Sequence, residues 1–286
     1  MLWEHLREEE FEEAIKKSNG VCLIPIGCQE KHGQHSPVGT DTIIASNVVK
    51  DAAELEYAVV FPTFYFGEKS GCGHFKGTIT LSHNLKYNML KEFCDEIYRN
   101  GFTKILLCNA HGGNPGLLNQ FTRNMLCESP DYQIMWTDIL NAADGDNLET
   151  ILSRGFDYLT DDDIKLLESY KERGTIEVGH ACFFETCVTH HYAPESIRLD
   201  KIKQESSTID RTMFPLKGKG INSPLFSISV SPNSYSCDND FTTNERISKA
   251  VAQNTVMVLR DKIKFLKEET ISDTFHKEWR QKQTWK

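Results

Sequence analysis

The chain alternates two kinds of segment: stretches whose apolar residues have helical spacing, and short runs that are apolar throughout. The clearest helix is "HNLKYNMLKEFCDEIYRNG", in which Leu85, Met89, Phe93 and Ile97 share one face. The pattern predicts a first helix from Trp3 to Lys17, since Asn19-Gly20 follows as a stop signal. Further helices are predicted at residues 42–56, 115–128 and 244–269.

The short apolar runs predict strands. They are "VCLIPIG", "AVVFPTFYFG", "TKILLCNA" and "YQIMWTDI", and each is separated from the next by a predicted helix. This alternation predicts an α/β fold with a parallel or mixed sheet and helices on both of its faces. In such folds the functional loops lie at the carboxyl ends of the strands.

Two stretches depart from the alternation. Residues 141–178 are polar and acidic, and they are predicted to be an insertion with one helix near "DDDIKLLESYKERG". Residues 205–240 are rich in Ser, Asn, Gly and Pro and are predicted to form strands with long loops. The chain has no internal repeat, no low-complexity block and no convincing domain boundary, so we expect one domain over residues 1–286.

Composition and charge exclude several classes of protein. The net charge is −9 and the basic residues are scattered, which argues against a nucleic-acid surface. The amino-terminal segment is acidic and amphipathic rather than a signal peptide, and no run of about 18 apolar residues suggests a membrane span. The nine Cys have no paired spacing. These features predict a cytoplasmic protein with no nucleic-acid or membrane partner, and charge alone suggests no other class of partner.

The first candidate site is the turn-rich loop "PIGCQEKHGQHSPVGTD", which directly follows a predicted strand. Glu30 and His32 are two residues apart, so on an extended backbone their side chains point the same way. Gly33 and Pro37 can bend the chain so that Asp41 returns to them.

Two later segments supply similar side chains. His111 follows the strand "TKILLCNA" in "NAHGGN", and His180 and Glu185 lie in "VGHACFFETC" near a possible strand-to-helix junction. Carboxylates and imidazoles in this mixture suit Zn²⁺, Mn²⁺ or a related divalent ion. Two such ions about 3.5–4 Å apart can activate water and polarise a carbonyl, while a His outside the ligand set carries protons.

Other interpretations of the same residues stay open at this point. His111 can be a loop or capping residue, and Glu30 and Asp41 can be turn or helix N-cap acids. A Cys-His hydrolase using Cys28 or Cys182 is a rival chemistry, although Cys beside strands usually only packs. A binding protein that keeps a metal site without catalysis is a further alternative.

The motifs together resemble those of the creatininase (creatinine amidohydrolase) family. The family pattern runs Glu-x-His-Gly-x-His, then Asp, then His-Gly-Gly-Asn, then Glu-Thr-Ser. This chain has "EKHGQHSPVGTD", "HGGN" and "ETC" in that order, and "GHFKGTITLS" matches an intermediate segment. The resemblance covers roughly residues 20 to 195.

The resemblance implies a specific site and assembly. The fold would be a three-layer α/β/α sandwich with a mostly parallel central sheet, commonly as a homohexamer. Two divalent metal ions (Zn, Mn or Fe) would be the cofactor, with Asp41 between them and His180 as the proton shuttle. The metal ligands would be Glu30, His32, Asp41, His111 and Glu185, and the residues near substrate or supporting the ligands would be His35, His74 and Asn114.

The chain also departs from the creatinine-hydrolysing members. Those carry a Tyr and a metal-binding Glu where this chain has Gly112 and Gly113, and Glu185 is the natural substitute for that ligand. They also place Trp over the substrate, whereas residues 141–178 contain none. The resemblance therefore implies a metal-dependent hydrolase of a small cyclic amide, formamide or related polar substrate. An oxidised inositol ring of the 3-dehydro-scyllo-inosose type is the alternative substrate.

Overall fold

Four parallel strands form the centre of the fold, in the order β2-β1-β3-β4. They are β1 Val21–Ile26, β2 Val59–Val60, β3 Lys104–Asn109 and β4 Gln133–Asp138. The structure is a computed structural model that describes residues 1–69, 71–174, 179–204, 212–223, 225 and 240–283. All four predicted strands are present, and the α/β class with a parallel sheet is confirmed.

The second strand is shorter than its apolar run predicts. Only Val59–Val60 pairs as a strand with β1, because Pro62 has no N–H to continue the ladder. The chain still follows β1 beyond that point, since the amides of Phe61 and Phe64 donate to Leu23 and Pro25 at 2.8 and 2.9 Å.

Ten α-helices are named among the described residues. They are α1 Phe11–Lys17, α2 Thr40–Leu55, α3 His83–Arg99, α4 Pro115–Glu128, α5 Leu148–Ser153, α6 Asp161–Arg173, α7 Phe183–Tyr192, α8 Phe214–Gly218, α9 Glu245–Glu268 and α10 Ile271–Gln281. The predicted helices at 42–56, 115–128 and 244–269 are confirmed as α2, α4 and α9 within two residues at each end.

The predicted first helix from Trp3 to Lys17 is wrong in its first half. Residues Trp3–His5 and Glu8–Glu10 form 3₁₀ turns, and the α-helix begins only at Phe11. The start of the chain is instead drawn to the sheet edge, where the Val60 amide donates to the Met1 carbonyl at 2.8 Å. The Trp3 ring packs edge-on against Phe11 and Phe61, which favours this broken path over a continuous helix.

Side chains of the central strands alternate between two cores, which gives three layers. Val21 and Leu23 pack in the core that includes residues of α2, α7 and α9, whereas Cys22 and Ile24 pack in the core with α3 and α4. The three-layer α/β/α sandwich is therefore confirmed. In α3 the buried face is rotated from the predicted one, because Leu85 is 48% exposed while Lys86 and Leu90 are buried.

The remaining segments differ in detail from the sequence interpretation. Residues 141–174 hold two helices, α5 and α6, rather than one, and α10 was not predicted. Most of the predicted strands and loops at 205–240 lie outside the described residues; Phe214–Gly218 within them is a short helix. Among the described residues, no helix is long and apolar enough to cross a membrane.

Candidate metal centre

The loop after β1 folds back on itself and brings both of its ends to one place. The Glu30 amide donates to the Val38 carbonyl at 2.9 Å, and Gly33 takes a positive φ of 63° at the bend. Asp41 then lies in the first turn of α2, fully buried. The predicted return of Asp41 towards Glu30 and His32 is what the structure shows.

Asp41 lies between two imidazoles. Its Oδ1 is 3.2 Å from His32 Nε2, and its Oδ2 is 2.9 Å from His111 Nδ1. Each oxygen of one carboxylate therefore faces a different His, and these two His come from the loops after β1 and β3. This is the arrangement that a carboxylate shared by two cations would have.

Glu30 also uses its two oxygens separately. Oε1 is 2.9 Å from His111 Nδ1 and 3.5 Å from His180 Nδ1. Oε2 is 2.7 Å from the ammonium of Lys69, a residue that the sequence interpretation did not single out. The Glu30 side chain is fully buried.

Glu185 and His180 come to the cluster from the start of α7 and the turn before it. Glu185 lies in the first turn of α7, with Oε2 3.6 Å from His32 Nε2. His180 precedes the helix in a turn where Ala181 has a φ of 52°, an uncommon conformation for a residue with a Cβ. The His180 ring lies 4.3 Å from the His32 ring, centroid to centroid.

Backbone carbonyls fix the tautomers of all three imidazoles. His111 Nε2 lies 2.8 Å from the Glu68 carbonyl oxygen, His180 Nε2 lies 2.8 Å from that of Lys31, and His32 Nδ1 lies 3.1 Å from that of Glu30. A carbonyl oxygen only accepts, so these nitrogens carry the hydrogen. The opposite nitrogens face the carboxylates, as in metal-binding His whose other nitrogen is held by a supporting group.

Several polar atoms of the cluster are buried without a hydrogen bond. Within the described residues these are Glu30 Oε1, both oxygens of Asp41, Glu185 Oε2 and His32 Nε2, whereas Glu30 Oε2 is paired with Lys69. Buried polar atoms of this kind cost free energy unless something satisfies them. Divalent cations would do so, and the donor set fits them, because mixed carboxylate and imidazole ligands suit Zn²⁺ and Mn²⁺.

The pKa values reflect the same concentration of charge. Burial opposes protonation of His32, yet the carboxylates of Asp41, Glu185 and Glu30 outweigh it and raise the pKa of His32 to about 9. Burial raises the pKa of Glu185 to about 8, despite the opposing charge of His32. In the absence of a metal ion, protons on these side chains therefore balance the carboxylates.

His180 differs from the other two imidazoles. Burial, together with the positive charge of His32, lowers the pKa of His180 below its usual value. Its side chain is also the more accessible, with 25% exposed, against none for His32. His180 is thus a neutral imidazole at the wall of an open space.

That space is a pocket of about 480 Å³ at the carboxyl ends of β1, β3 and β4. Such a volume suits a small molecule. Its described lining includes Glu30, His111, His180, Glu185, Lys69 and Asp138, together with both glycines of "HGGN".

A hydrogen-bonded frame holds the His111 loop. Asn109 Nδ2 donates to Asp138 Oδ1 at 2.7 Å and to the His111 carbonyl at 2.9 Å, while the His111 amide donates back to Asn109 Oδ1. Asn114 Nδ2 donates to Asn109 Oδ1, and Asn114 Oδ1 accepts from the Glu68 amide at 2.6 Å. Asn109 and Asp138 were not predicted as site residues. Each is the last residue of its strand, the two strands are neighbours, and only Ala110 separates Asn109 from the "HGGN" motif.

The other candidates lie further from the pocket. His35 is buried, and its Nε2 lies 3.2 Å from Thr186 Oγ1, so this residue connects the first loop to α7. His74 is exposed, contacts the Phe75 ring and is not among the described lining residues. Of the rival nucleophiles, Cys28 has its Sγ within 4.8 Å of ligand atoms of Asp41 and His111, whereas Cys182 is buried in the core beside α7.

Comparison with known proteins decides the family. The sequence model of Creatininase (creatinine amidohydrolase) matches residues 4–258. The chain belongs to the creatininase family.

Curated relatives of this creatininase-family chain are hydrolases. Creatinine amidohydrolase of Pseudomonas putida is 24% identical over 201 residues, which cover 68% of this chain and 72% of the relative. Mycofactocin precursor peptide peptidase of Mycolicibacterium smegmatis is 32% identical over 100 residues, covering 33% of this chain and 40% of the relative. The match thus covers less than half of that peptidase. The family and its named relatives indicate that this chain is a hydrolase.

Solved structures share the fold of this family member. A crystal structure of creatinine amidohydrolase has a TM-score of 0.70 at 17% identity, covering 94% of this chain and 98% of the other. The similar structures include a mutant creatininase described as Zn-Zn type, with a TM-score of 0.70, and a creatininase described as Mn, with a TM-score of 0.68.

Proposed function

We propose that this chain is a divalent-metal-dependent hydrolase that cleaves the carbonyl–nitrogen bond of a small amide or formamide. The main support for this proposal is the buried cluster in which one carboxylate oxygen of Asp41 faces His32 and the other faces His111. Membership of a family with amidohydrolase and peptidase relatives supports the reaction class.

The distances support two metal positions. One is bounded by His111 Nδ1, Glu30 Oε1 and Asp41 Oδ2, with 2.9 Å from the nitrogen to each oxygen. The other is bounded by His32 Nε2, Asp41 Oδ1 and Glu185 Oε2, a group whose ligand atoms lie within 4.8 Å of one another. Asp41 belongs to both positions, in agreement with the bridging role that the family resemblance implies.

Divalent ions bound there would supply Lewis acidity, which lowers the pKa of a water molecule and polarises a carbonyl oxygen. The chain itself supplies the ligand geometry, through the carbonyls that orient each imidazole, and a group for proton transfer. His180 is that group: Nε2 is held by the Lys31 carbonyl, so Nδ1 bears the lone pair and can take a proton and return it to a leaving nitrogen.

The pocket beside His111 offers space where the creatinine-hydrolysing members, by the family resemblance, carry a Tyr. Gly112 lines the pocket, and a Cβ placed on it would meet nothing within 4 Å. A Tyr at this position would therefore occupy space that this chain leaves to the substrate. This supports a substrate other than creatinine, larger on that side.

Metal content and hydrolysis test the proposal together. Purified protein loaded with Zn²⁺ or Mn²⁺ is assayed for bound metal by elemental analysis and for turnover on a panel of cyclic amides and formamides. We expect close to two ions per chain, and loss of both metal and turnover in Asp41→Ala and His111→Ala. Two variants that keep full metal and full turnover would refute the proposal.

His180→Gln separates catalysis from metal binding. Because the side chain lies at the pocket wall and donates to the Lys31 carbonyl, we expect the metal to remain while kcat falls about 10²- to 10⁴-fold. If the chain is instead a binding protein without catalysis, the wild type has no turnover and the metal content of this variant is unchanged.

A homohexameric assembly and a single domain over residues 1–286 stay predictions. Light scattering of the purified chain checks the assembly.

A further inference from the structure

Lys69 is held beside the candidate metal centre by a loop that hydrogen-bonds to the segment after β1 and to the "HGGN" motif after β3. The Gly67 amide donates to the Gly27 carbonyl at 3.1 Å, and the Glu68 carbonyl accepts from His111 Nε2 at 2.8 Å. The Glu68 carboxylate pairs with the buried ammonium of Lys86. Lys69, the next residue along the chain, is therefore delivered to a defined position.

Glycine is required where this loop crosses the motifs. A Cβ on Gly67 would lie 2.4 Å from the Gly27 carbonyl oxygen, and one on Gly113 would lie 2.4 Å from His111 Nε2 and 2.7 Å from the Glu68 carbonyl oxygen. The close approach of the loop to "HGGN" thus depends on two positions that have no side chain.

The Lys69 side chain is 8% exposed, and the Lys69–Glu30 pair spans 2.7 Å. Glu30 Oε2 makes this contact, whereas Oε1 faces His111 and His180. The ion pair and the proposed metal contact therefore use different oxygens of one carboxylate, and they are compatible with each other.

Other buried lysines have structural partners elsewhere. Lys104 pairs with Glu269 near the carboxyl end of α9, and Lys86 pairs with Glu68. Among the described residues that line the pocket, Lys69 is the only Lys or Arg. The ion pair with Glu30 offsets the cost of burying the Lys69 ammonium, and it places this positive charge at the pocket wall beside the candidate metal centre.

We propose that Lys69 determines substrate specificity by binding a carboxylate of the substrate, next to the bond that is cleaved. This inference rests on the proposed function and names its substrate class: a small amide or formamide that carries a carboxylate. Glu30, Asp41 and Glu185 neutralise less charge than two divalent ions bring, so a loaded pocket with Lys69 has excess positive charge. An anionic group entering it gains a charge-assisted contact.

The test compares a dianion with its monoanion in Zn²⁺-loaded protein. Glutarate and monomethyl glutarate differ by one carboxylate, and their affinities are measured by calorimetry. We expect the wild type to prefer glutarate about 10- to 100-fold, as a hydrogen-bonded charge pair allows. Lys69→Met is expected to remove this preference, and Lys69→Arg to retain part of it, because the charge remains but the geometry changes.

Lys76→Met is the matched control, since it removes the same charge from an exposed position later in the same connection between β2 and α3. It should leave the glutarate preference unchanged. Metal content and circular dichroism of each variant establish that the site and fold are intact before affinities are compared.

The outcomes separate this inference from the proposed function. A wild type that takes up no metal contradicts the proposed function itself. If the wild type binds metal and hydrolyses formamides but Lys69→Met keeps the full glutarate preference, only the inference about Lys69 is overturned. Weaker binding of both probes by the same factor would also overturn it, because that result assigns Lys69 to holding Glu30 alone.

Discussion

His111 donates from Nε2 to the carbonyl oxygen of Glu68 across 2.8 Å. This contact determines which nitrogen of the ring faces the carboxylates, since a carbonyl cannot donate. It also joins the "HGGN" motif to the loop that carries Lys69, so the proposed metal ligand His111 and the proposed substrate contact share one support.

The first prediction concerns the glycine that permits this contact. Gly113→Ala places a Cβ 2.4 Å from His111 Nε2, so the ring or the Glu68 carbonyl must move. Supporting contacts of metal-bound His are worth about 10- to 100-fold in metal affinity, and we expect a loss of that size in competition with a chromophoric chelator.

Gly112→Ala is the control for this variant. A Cβ there meets nothing within 4 Å, so metal affinity should stay at the wild-type value. Equal losses in both variants would contradict the role assigned to the His111–Glu68 contact.

The second prediction concerns the shared carboxylate. Asp41→Asn keeps the shape of the side chain but replaces one oxygen by an NH₂ group, which cannot be a ligand. We expect metal content to fall from close to two ions to at most one, measured by elemental analysis after dialysis. Asp261→Asn, on the exposed face of α9, should keep both ions; two ions bound by Asp41→Asn would show that Asp41 does not bridge.

The third prediction concerns the pH dependence of the metal-free protein. The pKa of His32 is raised from 6.5 to about 9, so its contribution to stability is complete below pH 6.5 and is lost as pH rises towards 9. The pKa of Glu185 is raised from 4.5 to about 8, so the folded state holds an extra proton and stability also falls as pH rises through that window.

His32 therefore predicts a falling Tm between pH 7 and 9, and Glu185 adds to the fall up to about pH 8, as measured by calorimetry in the presence of a chelator. His32→Gln should flatten the curve, and the slope should be absent in metal-loaded protein, where cations replace the protons. Metal affinity should rise over the same interval. A Tm of the metal-free wild type that is constant from pH 7 to 9 would contradict the charge assignments.

The fourth prediction separates metal chemistry from a cysteine nucleophile. Cys28 is fully buried, and burial raises the pKa of its thiol, which disfavours the reactive thiolate. We expect Cys28→Ser to keep hydrolysing, iodoacetamide to leave the wild type active and a chelator to abolish turnover. Chelator-resistant activity that disappears in Cys28→Ser would favour the rival mechanism.

Much of the fold and the ligand cluster could be predicted from the sequence because both depend on short-range patterns. The apolar runs identified all four strands, and the parallel order placed Glu30 and His111 at one edge of the sheet. Asp41 was expected to return to Glu30 because Gly33 and Pro37 bend the loop, and the turn at Gly33 is present. The metal-binding and catalytic roles of these residues remain predictions.

The parts that could not be predicted depend on contacts between distant segments. Lys69 lies in a run of turn-forming residues with no periodicity, and its proximity to Glu30 follows from the hydrogen bonds of Gly67 and Glu68. The first helix was predicted too long because nothing local reveals that Trp3 packs against Phe61. Leu85 has the right spacing for the α3 core face, yet it is exposed in the folded chain.

The order of the strands has a consequence for how the protein assembles. The proposed ligands come from the loops after β1 and β3 and from the starts of α2 and α7, so no continuous fragment shorter than about half of the chain contains them all. These side chains come together only after β1 has paired with β3 and α7 has packed against α2 and α9. During refolding, metal uptake should therefore follow these long-range steps, and a metal-sensitive signal would mark the moment at which the tertiary structure is complete.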